Sequence, residues 1–124
     1  MKKVISTTGA PAAIGPYSQA IQAGNTVYFS GQLGIDPATG KLAEGVEAQT
    51  VQSLKNVQAL LQEVGATAEN VVKTTVYITS MDDFPVVNAA YAKVFDQNPP
   101  ARSCVAVKQL PLGGLVEIEA TVVL

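Results

Sequence analysis

The chain has 124 residues, of which 48% are hydrophobic and only 15% charged, with a net charge of −2. That length suits one domain around one core, and so little charge argues against disorder and hints that part of the surface is covered by another subunit. There is no histidine and a single cysteine, Cys104, which removes histidine acid–base catalysis, Ser-His-Asp and Cys-His nucleophile systems, His-ligated metals, Cys-rich zinc sites and an intrachain disulfide.

The N-terminal stretch MKKVISTTGAPAA starts basic but has no apolar h-region, so it does not read as a signal peptide. Val4–Ser6 reads as a short strand, followed by the Gly/Pro-containing loop GAPAAIGPY. Ser18–Ala23 and Thr26–Gly31 flank Gly24-Asn25, a two-residue turn of the kind that closes hairpins. Asp36–Gly40 is a turn cluster. Val46–Val64 has apolar residues at helical spacing (Val46, Val51, Leu54, Val57, Leu61, Val64), with Glu47, Gln52, Lys55, Asn56, Gln62 and Glu63 on the other side and Gly65 placed to end it.

Val72–Thr79 alternates, with Val72, Thr74, Val76 and Ile78 on one face and Lys73, Thr75, Tyr77 and Thr79 on the other. A second helix is predicted from about Asp82 to Phe95, striped by Phe84, Val87, Tyr91, Val94 and Phe95, with Ser80 or Asp82 as cap and Pro85 in its first turn. Arg102–Val107 and Leu115–Val123 are the last strands. The order βββαβαββ predicts an α+β fold, an antiparallel or mixed sheet of about six strands with both helices on one face. No linker, repeat or low-complexity segment divides it, so residues 1–124 read as a single domain. The uncovered sheet face is expected to pack on a neighbouring copy.

Strand alternation then places candidate site residues. In the last strand Val116, Ile118, Ala120 and Val122 should face the helices and Glu117, Glu119 and Thr121 the other side. With Val105 and Val107 taken as core, Arg102, Cys104 and Ala106 point to that same helix-free face. The sole arginine, the sole cysteine and two glutamates are thus expected together on a face that a neighbour would bury, where unpaired charge is costly. Taken alone, an outward arginine and glutamate equally fit a cross-strand ion pair, and Cys104 an inert small hydrophobe. Tyr17 equally fits a surface aromatic, Gly31 a bulge glycine and Asn88 a polar helix face.

The segments APAAIGPYSQ (10–19), SGQ (30–32), VKTTVYI (72–78), PARSCV (100–105) and VEIEA (116–120) together resemble the Rid/YjgF family, over essentially the whole chain. The resemblance implies a chorismate-mutase-like fold with a six-stranded mixed sheet, assembled as a homotrimer with an inner barrel and clefts between subunits. It implies hydrolysis of 2-iminopropanoate and 2-iminobutanoate to 2-oxo acids and ammonia, without metal or cofactor. Arg102 would hold the substrate carboxylate and Glu117, not Glu119, would activate water. Tyr17, Ser30, Gly31, Asn88 and Cys104 would line the pocket, the cysteine mainly through its backbone. The loop Lys108–Gly114 departs from many relatives and puts the pocket rim in question. Two other readings stand beside this: a non-catalytic binding or sensor module for a carboxylate metabolite, and a ribonuclease or translation inhibitor. The second is disfavoured by the missing histidine and by eight basic residues scattered without a patch. No nucleic-acid partner is therefore expected. No run approaches the roughly 20 apolar residues of a membrane span, so no membrane partner is expected either. With the lone thiol, this places the protein in the cytoplasm.

Overall fold

The computed structural model describes residues 1–124. Strands β1 (Lys2–Ile5), β2 (Ala20–Ala23) and β3 (Thr26–Leu33) come first, then a small hairpin of β4 (Ile35–Asp36) and β5 (Lys41–Leu42). Helix α1 (Gly45–Glu63), strand β6 (Val71–Ile78), helix α2 (Phe84–Val94) and strands β7 (Ala101–Ala106) and β8 (Val116–Val123) complete the chain. Six strands form one sheet in the order β1-β2-β3-β8-β6-β7. All its pairs are antiparallel except β6 with β7, so the sheet is mixed. Both helices pack on one face of it, as the element order predicts for an α+β fold. The β4–β5 hairpin is the addition, and the turn cluster Asp36–Gly40 is its tip.

The core lies between sheet and helices. Val27 and Phe29 of β3, Val76 and Ile78 of β6, and Val116, Ile118, Ala120 and Val122 of β8 meet Leu54, Val57, Leu60 and Leu61 of α1 and Val87 and Tyr91 of α2. Full burial of each such valine, leucine, isoleucine or phenylalanine contributes about 1.5–3 kcal/mol.

Helix α1 departs from the predicted stripe. Val51 is exposed, Leu60 is buried, and the inner face carries Gln49, Ser53 and Asn56, of which Asn56 is expected on the solvent side. The reason is the strand opposite. The pairing of β3 with β8 shifts register between Phe29 and Gln32, and the chain then bends into β4. Ser53 Oγ donates to the Gln32 carbonyl at 2.7 Å, and Asn56 Nδ2 to the carbonyls of Leu33 and Ile35 at 3.1 and 2.9 Å. Gln49 accepts from the Leu115 N–H at 2.8 Å. These polar side chains are buried because backbone groups there need partners.

Strand β6 also differs at its start. Val71 is buried and Val72 exposed, because the pairing with β8 shifts between Val71 and Lys73 and turns Val72 away from the helices.

The larger correction concerns β7. It pairs in parallel with β6, setting Arg102 beside Thr74 and Cys104 beside Val76. Thr74 and Val76 face the helices and are buried. Arg102 and Cys104 therefore lie on the helix side of the sheet, while Val105 lies on the open side, 44% exposed. The expectation that Arg102 and Cys104 share the helix-free face with Glu117 and Glu119 is overturned. It treated apolar as inward, and that test fails here because the open face carries apolar side chains among its polar ones. Val4 and Tyr28 also stand on it, 60% and 53% exposed.

Candidate functional site

The predicted site residues fall into two clusters on opposite faces of the sheet. The first surrounds Glu117 in a cleft of about 610 Å³. Tyr17, Ser30, Gly31 and Glu119 line it with Glu117, and Ile14 and Leu112 add apolar wall. Leu112 and Pro111 come from the loop 108–114, so that loop forms part of this rim.

Local structure explains the placement. The register shift in β3 falls at Ser30-Gly31, and such a bulge re-aims the strand where it occurs. The Ser30 N–H donates to the Gln19 carbonyl at 2.9 Å, and its hydroxyl to the Ser18 carbonyl at 2.6 Å. That ties the bulge to the loop carrying Tyr17. A Cβ on Gly31 would lie 2.8 Å from the Glu117 carboxyl carbon and the same distance from Oε2. Gly31 is thus both the bulge residue and the surface against which the carboxylate rests.

Gln19 is a cleft residue that sequence reasoning missed. Its amide nitrogen donates to the carbonyls of Thr7 and Pro11 at 3.0 and 2.8 Å, and its oxygen accepts from the Thr7 N–H at 2.7 Å. One buried side chain therefore fixes the irregular loop that forms the cleft wall. The signal available was a glutamine closing the APAAIGPYSQ segment, immediately before a strand.

Glu117 is half-buried, and burial first, then the neighbouring carboxylate of Glu119, pushes its pKa above the usual carboxylate range. Within one chain Arg102 exerts no opposing pull, since it lies across the sheet. Burial, followed by the carboxylates of Glu119 and Glu117, likewise raises the Tyr77 phenol. Tyr77 pairs with Glu117 on the adjacent strand and Thr75 with Glu119.

The second cluster centres on Arg102. One guanidinium N–H donates to Asn88 Oδ1 of α2 at 2.7 Å. The guanidinium carbon stands 4.8 Å from the Tyr91 ring centroid and 5.5 Å from that of Phe84. Cys104 lies one residue pair further along β7, and burial pushes its thiol up, opposed by Arg102. Such a thiol is less ionised at neutral pH than a free one, which suits a structural cysteine better than a nucleophile.

Asn88, Arg102 and Cys104 are thus brought together, as are Tyr17, Ser30, Gly31 and Glu117, but the two sets are not joined within the chain. One cluster offers a cation braced for an anion; the other offers a carboxylate with raised pKa in a partly apolar cleft. No group of three or more His, Cys, Asp or Glu side chains is placed to hold a metal ion. No helix is long and apolar enough to cross a membrane.

The model of the family described as Endoribonuclease L-PSP matches residues 7–124. The chain is 51% identical to a mouse protein named 2-iminobutanoate/2-iminopropanoate deaminase, over 99% of this chain and 92% of that one. It is 48% identical to the Salmonella typhimurium protein of the same name, over 99% and 98% of the two chains. Among solved structures, E. coli TdcF with bound serine superimposes with a TM-score of 0.95 at 41% identity, covering 98% of each chain.

Proposed function

From the premise that this chain belongs to the Endoribonuclease L-PSP family, also called Rid/YjgF, we propose that it hydrolyses 2-imino acids such as 2-iminopropanoate and 2-iminobutanoate to 2-oxo acids and ammonia. The observation that carries this reading is the state of Arg102. The only arginine gives its hydrogen bond to a neutral amide rather than a carboxylate, so its charge is left for a ligand. A guanidinium fork matches a carboxylate through two parallel hydrogen bonds.

In this reading the two clusters complete one another between copies of the chain. They lie on opposite faces of one sheet, and β7 is the sheet edge, so a neighbouring copy is the natural source of the second half. Three copies with their open faces turned inward form a closed ring with an inner barrel and three sites, and Val105 and Tyr28 are then covered. A ring requires such head-to-tail contacts, in which different patches of each copy meet.

The chemistry needs little beyond these groups. Arg102 of one copy holds the substrate carboxylate, with Asn88 fixing the guanidinium and Cys104 lining the wall. Glu117 of the next copy takes a proton from water as the water oxygen attacks the electrophilic imine carbon, and returns that proton to the nitrogen to give a tetrahedral amino alcohol. The hydroxyl proton then passes to the nitrogen through Glu117 as the C–N bond breaks, so that ammonia leaves and the C=O bond of the 2-oxo acid forms. Tyr17, Ser30 and Gly31 shape the cleft and hold the base and the water in register. A raised carboxyl pKa makes Glu117 a stronger base than an exposed glutamate.

The test generates the imino acid with a dehydratase or an amino-acid oxidase, traps it with semicarbazide, and compares trapping with and without the protein. Faster loss of the imine is expected, abolished by Arg102→Ala in an assembly of unchanged size. No acceleration by the wild-type chain refutes the enzyme; full activity of Arg102→Ala refutes the residue assignment. Binding without turnover would establish the second reading, a carboxylate-metabolite binding module, which the serine bound to TdcF favours. Glu117 argues for catalysis, because a site built only to hold a carboxylate gains nothing from a second, repelling one. The nuclease named in the family's description finds no histidine and no basic cluster in this chain to support it.

A further inference from the structure

The Arg102 cluster contains an aromatic ring for which the reaction above has no use. Tyr91 lies on the buried stripe of α2 and is 5% exposed, so its first reading is as core. Its surroundings are unusual for a residue that only fills space. The guanidinium of Arg102 stands over its ring at 4.8 Å, inside the roughly 6 Å over which a cation is attracted to an aromatic face. The phenol oxygen is 2.7 Å from Thr74 Oγ1. Thr74 is the residue that pairs with Arg102 across the parallel strands. Phe95 packs against the same ring, with centroids 4.6 Å apart and planes at 41°.

We propose that Tyr91 is a positioning residue for substrate binding: its ring, locked by Thr74 and Phe95, is the platform that holds the Arg102 guanidinium with its free edge presented to the carboxylate. This rests on the reading of Arg102 as the carboxylate anchor. Asn88 fixes one guanidinium nitrogen, but a single hydrogen bond leaves the plane free to rotate about it. The ring removes that freedom, and less ordering is then needed when the substrate arrives. The attraction is electrostatic, from the negative face of the ring, so it depends on the electron density of the ring as well as its shape.

The experiment exploits that dependence at nearly constant size. Tyr91 is replaced by Phe, and then by phenylalanines carrying one, two and three ring fluorines, each of which weakens the negative face. For each protein KM and kcat are measured on 2-iminobutanoate, and the affinity for the product carboxylate 2-oxobutanoate is measured by calorimetry, which needs no turnover. Tyr91→Phe keeps the face but gives up the hydrogen bond to Thr74, so it, and not the wild type, is the reference for the fluorinated rings. Along the fluorine series KM and the calorimetric Kd should rise together, by about three- to tenfold at the end, with kcat within about twofold. A space-filling role predicts a flat series, and flat KM and Kd values would overturn the proposal. Arg102→Ala serves as the separate control: unchanged 2-oxobutanoate affinity there would remove the anchor itself, whereas lost affinity there with a flat fluorine series removes only the role of Tyr91.

Discussion

The α-carbon of Gly31 and the carboxylate of Glu117 occupy adjoining space across the β3–β8 pair, so closely that a methyl group on Gly31 would stand 2.8 Å from the carboxyl carbon. Because the obstruction is a flexible side chain, Gly31→Ala should cost little stability and much activity. The carboxylate would move by about an ångström, and a displacement of that size can lower a rate about 100-fold. A thermal midpoint within a few degrees of wild type, beside kcat reduced by about 10- to 100-fold, is the expected pair of measurements. Unchanged kcat would show that the position of Glu117 does not matter.

Arg102 and Glu117 on opposite faces of one sheet give a complementation test. Arg102→Ala and Glu117→Gln are each expected to be inactive. Unfolded together and refolded as a mixture, they should recover about one-quarter of wild-type activity, the fraction of interfaces that pair an intact Arg102 with an intact Glu117 in a randomly mixed ring. A mixture as inactive as its components would mean that each site draws both residues from one chain.

The pH profile follows from the Glu117–Glu119 pair. A negative neighbour raises a carboxyl pKa, and Glu119 does so for Glu117 after burial. The base must be ionised to act, so activity should fall as pH drops through the raised pKa. Glu119→Gln removes the repulsion and lowers that pKa, shifting the acidic limb of kcat/KM to lower pH. The same raised pKa has a stability counterpart. Its contribution is fully present below the unfolded pKa of about 4.3 and is lost as pH rises through the folded value. Glu117→Gln should therefore raise the thermal midpoint near pH 7 and leave it unchanged near pH 4.

Much of this architecture could be read from the chain before any coordinates. Both helices, the strand order along the chain and the inward row Val116, Ile118, Ala120 and Val122 follow from periodicity. The failures share a cause. Alternation places Val72 and Arg102 on the assumptions of continuous pairing and of apolar residues turned inward; a bulge defeats the first at Val72, and apolar side chains on the open face defeat the second at Val105. Polarity places Asn56 outward, but polarity is blind to carbonyls that a bent strand leaves seeking donors. The resemblance named the residues of both clusters, but no property of a linear pattern could separate them into two halves.

Asn56 carries the clearest stability prediction. Asn56→Ala leaves the Leu33 and Ile35 carbonyls without their donor. A buried polar group left unpaired costs about 1–3 kcal/mol, so a fall in thermal midpoint on the order of 10 °C is expected. A change under 2 °C would mean that water replaces the amide, as about zero cost would require.

Cys104 provides the opposite case. Its thiol is pushed up by burial, and the proposed chemistry uses no thiolate. Cys104→Ser should keep most of its activity, measured by the same imine assay. Complete loss in a folded protein would assign the sulfur a chemical part.

The parallel pairing of β6 with β7 has a consequence for how the molecule comes into being. Parallel neighbours cannot be joined by a hairpin, and here α2 is the crossover between them. The Arg102 cluster is consequently built from three consecutive elements, with Asn88 and Arg102 only 14 residues apart and Thr74 and Tyr91 only 17. The Glu117 cleft instead joins the beginning of the chain to its end. Closing a short loop costs less entropy than closing a long one, and contacts distant in sequence form more slowly. The contacts of the arginine half are thus local in sequence, while those of the glutamate half wait for the last strand to find β3.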